Sequence, residues 1–285
     1  MSVYAKYDLL ESLKERDNVD MIENQIYLCE VTKVDYANYN YPIKTDLTIC
    51  CLCLEGETRG KIDLIEQHVK APGLAISMPG QILEPGSFSN DFKGILIYMT
   101  RRFTENFNLL LGHSISMNLK NRPNIALTEK ELQSILTYCQ MVRSAIRVKA
   151  NPYRLQIVTH LTIAHFYGIG YFLHQSTGKE LTKNETITER FLQKVRDSYK
   201  TERRVEYYAE LLELSPNYLS HVVKDVTGKT AGQWIDEYVT LEAKALLKST
   251  NMTVQQVAND LNFPTQSFFG KFFKRMVGVA PKYYK

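Results

Sequence analysis

The chain has 285 residues, of which 44% are hydrophobic and 23% charged, and its formal net charge is +4. That length accommodates about two domains, and that composition specifies a globular protein and excludes a disordered one. The opening MSVYAKYDLL lacks the basic and apolar regions of a signal peptide, no run approaches the ~18 apolar residues of a membrane span, and five cysteines, all before Gly178, make no secreted disulfide framework, so a cytoplasmic location without membrane contact is expected.

A short amphipathic lead-in, Tyr4–Lys14, opens the chain, and residues 24–100 then read as β-structure. Asp46–Leu54 (DLTICCLCL) is a dense apolar strand, EGETRG at 55–60 a polar turn, and Lys61–Val69 the next apolar segment. APG (71–73), LAISMPG (74–80), QILEPG (81–86) and FKGILIYMT (92–100) follow. Short strands broken by Gly and Pro predict an antiparallel sandwich or barrel, a fold whose mouth can hold a ligand.

Two helices come next. Thr128-Glu129-Lys130-Glu131 forms a capping box. Behind it Leu132, Ile135, Leu136, Cys139, Val142 and Ile146 recur at helical spacing, and a second, more apolar helix covers about 152–173. Two readings stay open: the helices close the core of the barrel, or residues 128–173 form a homodimer seam, which is the preferred reading.

No catalytic constellation stands out in this half: there is no paired acid motif, no Ser/His/Asp arrangement and no phosphate loop. The strand region contains only His68, short of the two His and a carboxylate that a metal site on such a barrel needs, so neither a metal nor a cofactor is expected. Cys50, Cys51 and Cys53 read first as core residues. A sensor thiol and a DNA-repair methyl acceptor using one of them are the competing readings, and a barrel enzyme is a third.

The polar run His174–Ile187 divides the chain, with domains expected at 1–175 and 188–285 and a linker at 176–187. Residues 1–186 hold 20 basic and 20 acidic side chains and residues 187–285 hold 15 and 11, so the C-terminal part carries the whole positive excess. A polyanion meets that end first.

That part reads as helices throughout. Thr186 caps the first, which carries Phe191, Leu192 and Val195, and Val205–Leu212 is the second. Ser215-Pro216 is an N-cap followed by proline at the first helical position. The helix it starts buries Leu219, Val222, Val223 and Val226, turns Asn217, Ser220, His221 and Lys224 outward, and ends at Gly228. Thr230 opens a helix of roughly 20 residues, about 30 Å long and near the ~34 Å repeat of DNA. Thr253 caps another, Asn262 sits at a tight turn, and a last helix from about Thr265 buries Phe269, Phe272, Phe273 and Met276. Gln266, Ser267, Gly270, Lys271 and Lys274 face outward on it.

These helices repeat. Leu219 meets Phe269, Val223 meets Phe273, Lys224 meets Lys274 and Gly228 meets Gly278, each fifty positions apart. Each copy is a short helix, a turn and a second helix with an apolar back and a polar, basic front, which is how a helix-turn-helix presents a recognition helix to the major groove. Two copies provide two reading heads in one chain.

Ser215, Tyr218-Leu219-Ser220, Lys224, Gly228, Ala258, Leu261-Asn262-Phe263, Gln266-Ser267-Phe268-Phe269, Phe273-Lys274-Arg275, Gly278 and Ala280-Pro281 resemble the signature of the arabinose-regulator (AraC/XylS) family of bacterial transcription factors. The resemblance covers about the last 100 residues, and the N-terminal half resembles loosely the cupin-like sensory domains such regulators carry. It implies an α+β chain, with a cupin-like antiparallel β-barrel and helices followed by an all-α tandem helix-turn-helix domain. It also implies sequence-specific binding to double-stranded promoter DNA, usually activating, with RNA polymerase as a partner and frequent control by a small-molecule effector, whose binding residues the sequence does not identify. His221 stands where the family often has Arg, Val223 where Phe is common, and Asn262 where Gly is usual. The first recognition helix is therefore expected to position the protein more than it specifies sequence. In the second, Lys271 suits guanine and Gln266 adenine, and Lys274 and Arg275 suit phosphate.

Overall fold

The computed structural model describes residues 10, 13, 16, 18–36, 41–104, 124–176 and 182–285. Most of the expected amphipathic lead-in and positions 177–181 of the expected linker lie outside these. The described residues form two compact units: one holds those before position 37 together with 45–104 and 124–176, and the other holds Tyr41–Lys44 and 182–285.

The first unit contains strands β1 (Val19–Ile22), β2 (Ile26–Thr32), β4 (Leu47–Glu55), β5 (Glu57–Ile62), β6 (Ile65–Lys70), β7 (Gly73–Ser77), β8 (Ile82–Phe88), β9 (Lys93–Thr100) and β10 (Asn124–Ala126), β3 being the Ile43–Lys44 pair of the other unit. Six strands form one antiparallel sheet in the order β1-β2-β9-β4-β7-β10, and β8-β5-β6 belong to a second. Residues 55–60, expected as a turn, are mostly strand, because only Gly56 turns there, with φ 69°. The expected segment 61–69 is instead a hairpin. Asp63 and Leu64 both take positive φ (50° and 69°), as a two-residue turn must if its twist is to match the strands it joins.

The apolar runs in β4 and β9 have no polar face because both faces of the large sheet are covered. Strand alternation sends Cys50, Leu52, Ile95, Ile97 and Met99 to one face and Ile49, Cys53, Leu96 and Tyr98 to the other. The first set packs on helices α1 (Glu129–Arg147) and α2 (Arg154–Ser176) through Ile135, Tyr138, Cys139, Val142, Val158, Phe166 and Ile169. Thr128 caps α1 in a two-way box with Glu131. The inner faces of both helices thus close the core.

The second unit comprises α3 (Lys183–Ser198), α4 (Val205–Leu211), α5 (Pro216–Thr227), α6 (Ala231–Ser249), α7 (Val254–Asp260), α8 (Gln266–Val277), α9 (Pro281–Tyr284) and the short β3. The α3 helix starts one turn before the expected Thr186, because Thr182 and Glu185 cap each other's backbone N–H groups there. Phe191, Leu192, Val195, Tyr208, Leu219, Trp234, Ile235, Tyr238, Phe269 and Phe273 form the core. Burying each large apolar side chain contributes ~1.5–3 kcal/mol. Val226, read as a fourth buried position on α5, is 39% exposed, so the buried stripe of that helix covers Leu219, Val222 and Val223 only.

Candidate nucleic-acid interface

The two halves of the second unit are built alike. In the first, α4 ends in a turn at Glu213 (φ 57°), where the Leu214 N–H donates to Ala209 O at 2.9 Å. In the second, α7 ends at Asn262 (φ 53°), where the Phe263 N–H donates to Ala258 O at 2.9 Å. Asn262 therefore sits in the left-handed turn its side chain tolerates. Ser215 Oγ and Thr265 Oγ1 then accept the N–H groups of Tyr218 and Phe268, each at 3.3 Å, and start α5 and α8. Both helices end on a left-handed glycine, Gly228 (φ 77°) and Gly278 (φ 89°), whose N–H groups return to Lys224 O and Lys274 O.

The apolar back of each helix fixes what its front shows. Leu219, Val222 and Val223 anchor α5, and Phe269 and Phe273 anchor α8. Asn217, His221 and Lys224 are exposed on α5, with Ser220 half-buried. Gln266, Ser267, Lys271, Lys274 and Arg275 are exposed on α8. Two expected inward residues of α8, Phe272 and Met276, are half-buried at the edge of its core face. Tyr218 and Phe268, which carry the family resemblance but were not expected at the interface, are exposed on the same two helices. The fifty-residue offset that pairs them was the available signal.

Electrostatics separate the two helices. On α5, Asp225 lies one turn from His221 at 3.6 Å and adds a carboxylate to the outward face. On α8 the matching position is Arg275, which reaches Asp236 of α6 at 3.1 Å and lies over the Phe272 ring. The exposed face of α8 carries three cations and no acid, and that of α5 one Lys, one His and one Asp.

Between the halves runs α6, 19 residues and about 28 Å long. Its Glu242 is completely buried and receives hydrogen bonds from Lys44, at 2.8 and 2.9 Å, and from the Tyr199 hydroxyl at 3.0 Å, while Lys200 lies at 3.1 Å. Lys200 also reaches Asp260 on α7 at 2.8 Å. Strand β3, the C-terminal end of α3 and α6 thus meet at one carboxylate, and Lys200 links it to α7.

The cysteines of the first unit are set for packing. Burial pushes the Cys50 thiol far up, Cys51 to about 12, Cys53 to about 11 and Cys139 to about 12. A thiol held so far above neutrality forms almost no nucleophilic thiolate. Among the described residues no three His, Cys, Asp or Glu side chains converge as a metal site requires, and no helix is long and apolar enough to cross a membrane.

The fold and front of the second unit define the class: a tandem helix-turn-helix domain. A family model described as a helix-turn-helix domain matches residues 208–285. The chain is 31% identical over 72 residues to the arabinose operon regulatory protein of Salmonella typhimurium, covering 25% of this chain and 26% of that protein. It is 26% identical over 101 residues to the uncharacterized HTH-type transcriptional regulator YtdP of Bacillus subtilis, covering 35% of this chain and 13% of that one. Among solved structures, the C-terminal domain of the response regulator AraT from Geobacillus stearothermophilus shares 28% identity at a TM-score of 0.34, covering 36% of this chain and 86% of that one. Residues 208–285 thus carry a helix-turn-helix domain, and a C-terminal stretch of 72 residues is similar to an arabinose operon regulatory protein. The chain's matches span about a quarter or less of those two regulators' lengths.

Proposed function

We propose that the protein is a sequence-specific DNA-binding transcriptional regulator that acts in the cytoplasm, with α5 and α8 entering successive major grooves on one face of a promoter. The observation that carries this reading is the matched pair of recognition helices, each fixed by its own N-cap and C-cap glycine and joined by a rod of about 28 Å. In this reading Lys271 and Gln266 read bases, with Ser267, Asn217, Ser220 and His221 at the same groove depth, and Lys274, Arg275 and Lys224 hold phosphates. The cation-rich α8 supplies most of the affinity and α5 sets orientation. Domain limits of 1–175 and 188–285, activation through RNA polymerase, and a non-enzymatic, cofactor-free role belong to the same reading.

The first unit then serves as a cupin-like sensor. An apolar cavity of only about 10 Å³ lies between the six-stranded sheet and α1 and α2, lined by Cys50, Leu52, Tyr138, His165 and Phe166 among others, and a small apolar effector would enter there only by opening it. Burial holds His165 down at about 4, so the cavity carries no imidazolium at neutral pH. Homodimerisation through 128–173 is supported by a second stripe that starts at Tyr153, just before α2, and runs along its outside: Tyr153, Ile157, His160, Ala164, Tyr167 and Tyr171 are exposed at alternating spacings of four and three, the repeat of a coiled-coil seam.

A gel-shift titration of the full chain on a promoter fragment across a salt series tests the DNA reading. Affinity is expected to fall steeply with salt, retaining a preference over competitor DNA. Binding to neither, at low salt, would count against it.

A further inference from the structure

Tyr218 and Phe268 occupy one equivalent position. Each is the third residue of its recognition helix, and each donates its N–H to the N-cap hydroxyl at 3.3 Å. Both side chains lie on the surface, Tyr218 41% and Phe268 61% exposed. An exposed ring of this size gains little of the stabilisation that burial gives its neighbours Leu219 and Phe269. One exposed aromatic is ordinary; the same exposure at the same capped position of both helices calls for a cause outside the folded domain. Helical spacing places Tyr218 one turn before His221 and Phe268 one turn before Lys271, beside the residues assigned to base contact.

Residues in the first turn of a recognition helix go deepest into the major groove, and the apolar feature a groove offers there is the 5-methyl group of thymine. Resting on the DNA-binding reading above, we infer that Tyr218 and Phe268 are specificity residues, each laying its ring on a thymine methyl group, so that the recognised site carries a thymine at the same place in each of two successive major-groove segments. Gly270 fits this placement. It lies in the middle of α8 with nothing within 4 Å of where a Cβ would project. Glycine there weakens the helix relative to alanine without any internal packing reason, as expected where another molecule's surface comes close.

The test uses the full chain and a duplex selected from a random pool. Each thymine of the selected site is replaced in turn by deoxyuridine, which removes only the methyl group. Wild-type protein is expected to lose about fourfold in affinity at one thymine in each segment, the equivalent of ~0.8 kcal/mol per buried carbon. Phe268→Ala is expected to bind the parent site more weakly and to lose its sensitivity at one of these thymines only, Tyr218→Ala at the other, with Tyr218→Phe behaving as wild type. Both alanine variants remove exposed groups, and unchanged far-UV circular dichroism and Tm establish that they fold. If wild type selects a site but every deoxyuridine effect persists in the alanine variants, the inference is wrong and the DNA reading stands. If wild type selects no site at low salt, the DNA reading fails and takes the inference with it.

Discussion

Lys44 donates to both carboxylate oxygens of Glu242, at 2.9 and 2.8 Å, in the interior of the helical unit. The Glu242 side chain has no exposed surface, and that of Lys44 is 10% exposed. Removing one partner of such a pair leaves a buried charge and costs ~3–5 kcal/mol, whereas replacing both with apolar groups of similar size is close to neutral. Glu242→Leu is therefore expected to lower the urea midpoint strongly, and Lys44→Met with Glu242→Leu to restore part of the loss. An equal loss in the single and double variants would show that the pair is not coupled.

The same carboxylate sets an acid limit. Burial by itself would raise Glu242, but Lys44 and Lys200 outweigh it and hold the group below the ordinary carboxylate range. A group depressed in the folded state contributes stability in full above its unfolded value of about 4.3, and that contribution disappears as pH falls through the folded value. Unfolding followed from pH 7 to pH 3 is expected to show a steeper acid loss for wild type than for Glu242→Gln.

Glu213 holds a left-handed backbone conformation (φ 57°) at the turn where the second half uses Asn262. That conformation costs a residue with a Cβ roughly 1–2 kcal/mol, and glycine avoids it while losing some entropy on folding. Glu213→Gly is expected to raise stability by about 0.5–1 kcal/mol, read as a higher Tm. A lower Tm would mean that the Glu213 side chain contributes more than the turn costs.

Ile157 lies in the outward stripe of α2, away from the residues that pack on the sheet. If that stripe is a dimer seam, Ile157→Glu is expected to turn a dimer into a folded monomer in sedimentation at micromolar concentration. A wild-type monomer under the same conditions would remove the seam.

Lys271 and Lys274 are predicted to fail differently. Lys271→Ala should cost ~1–3 kcal/mol in specific affinity and relax sequence preference, while Lys274→Ala should weaken all duplexes alike and reduce the salt slope by about 1. Gel-shift titrations on selected and scrambled duplexes separate the two, and identical profiles would undo the division of roles.

The helical half was legible because its signals are local. Ser215-Pro216, Thr230, Thr253, Gly228 and Gly278 punctuate helices within a few residues, and the spacing of Leu219, Val223, Phe269 and Phe273 sets the buried faces. The first half was legible only as short antiparallel strands. Pairing such as that of Cys50 with Ile97 depends on contacts far along the chain, and the I′ turn at Asp63–Leu64 has no glycine to announce it. The role of Lys44 had no local signal at all, since its partner Glu242 lies 198 residues away. Val226 shows the limit of periodicity, which predicts a face but not how far along the helix that face stays covered.

In the proposed function, α5 and α8 read two segments of one duplex. Selection from a random DNA pool with the full chain tests it most directly. One enriched motif with two specified segments about 10 base pairs apart, the spacing of successive major grooves, is expected. Enrichment of a single short segment, or of nothing at low salt where phosphate contacts are strongest, would contradict it.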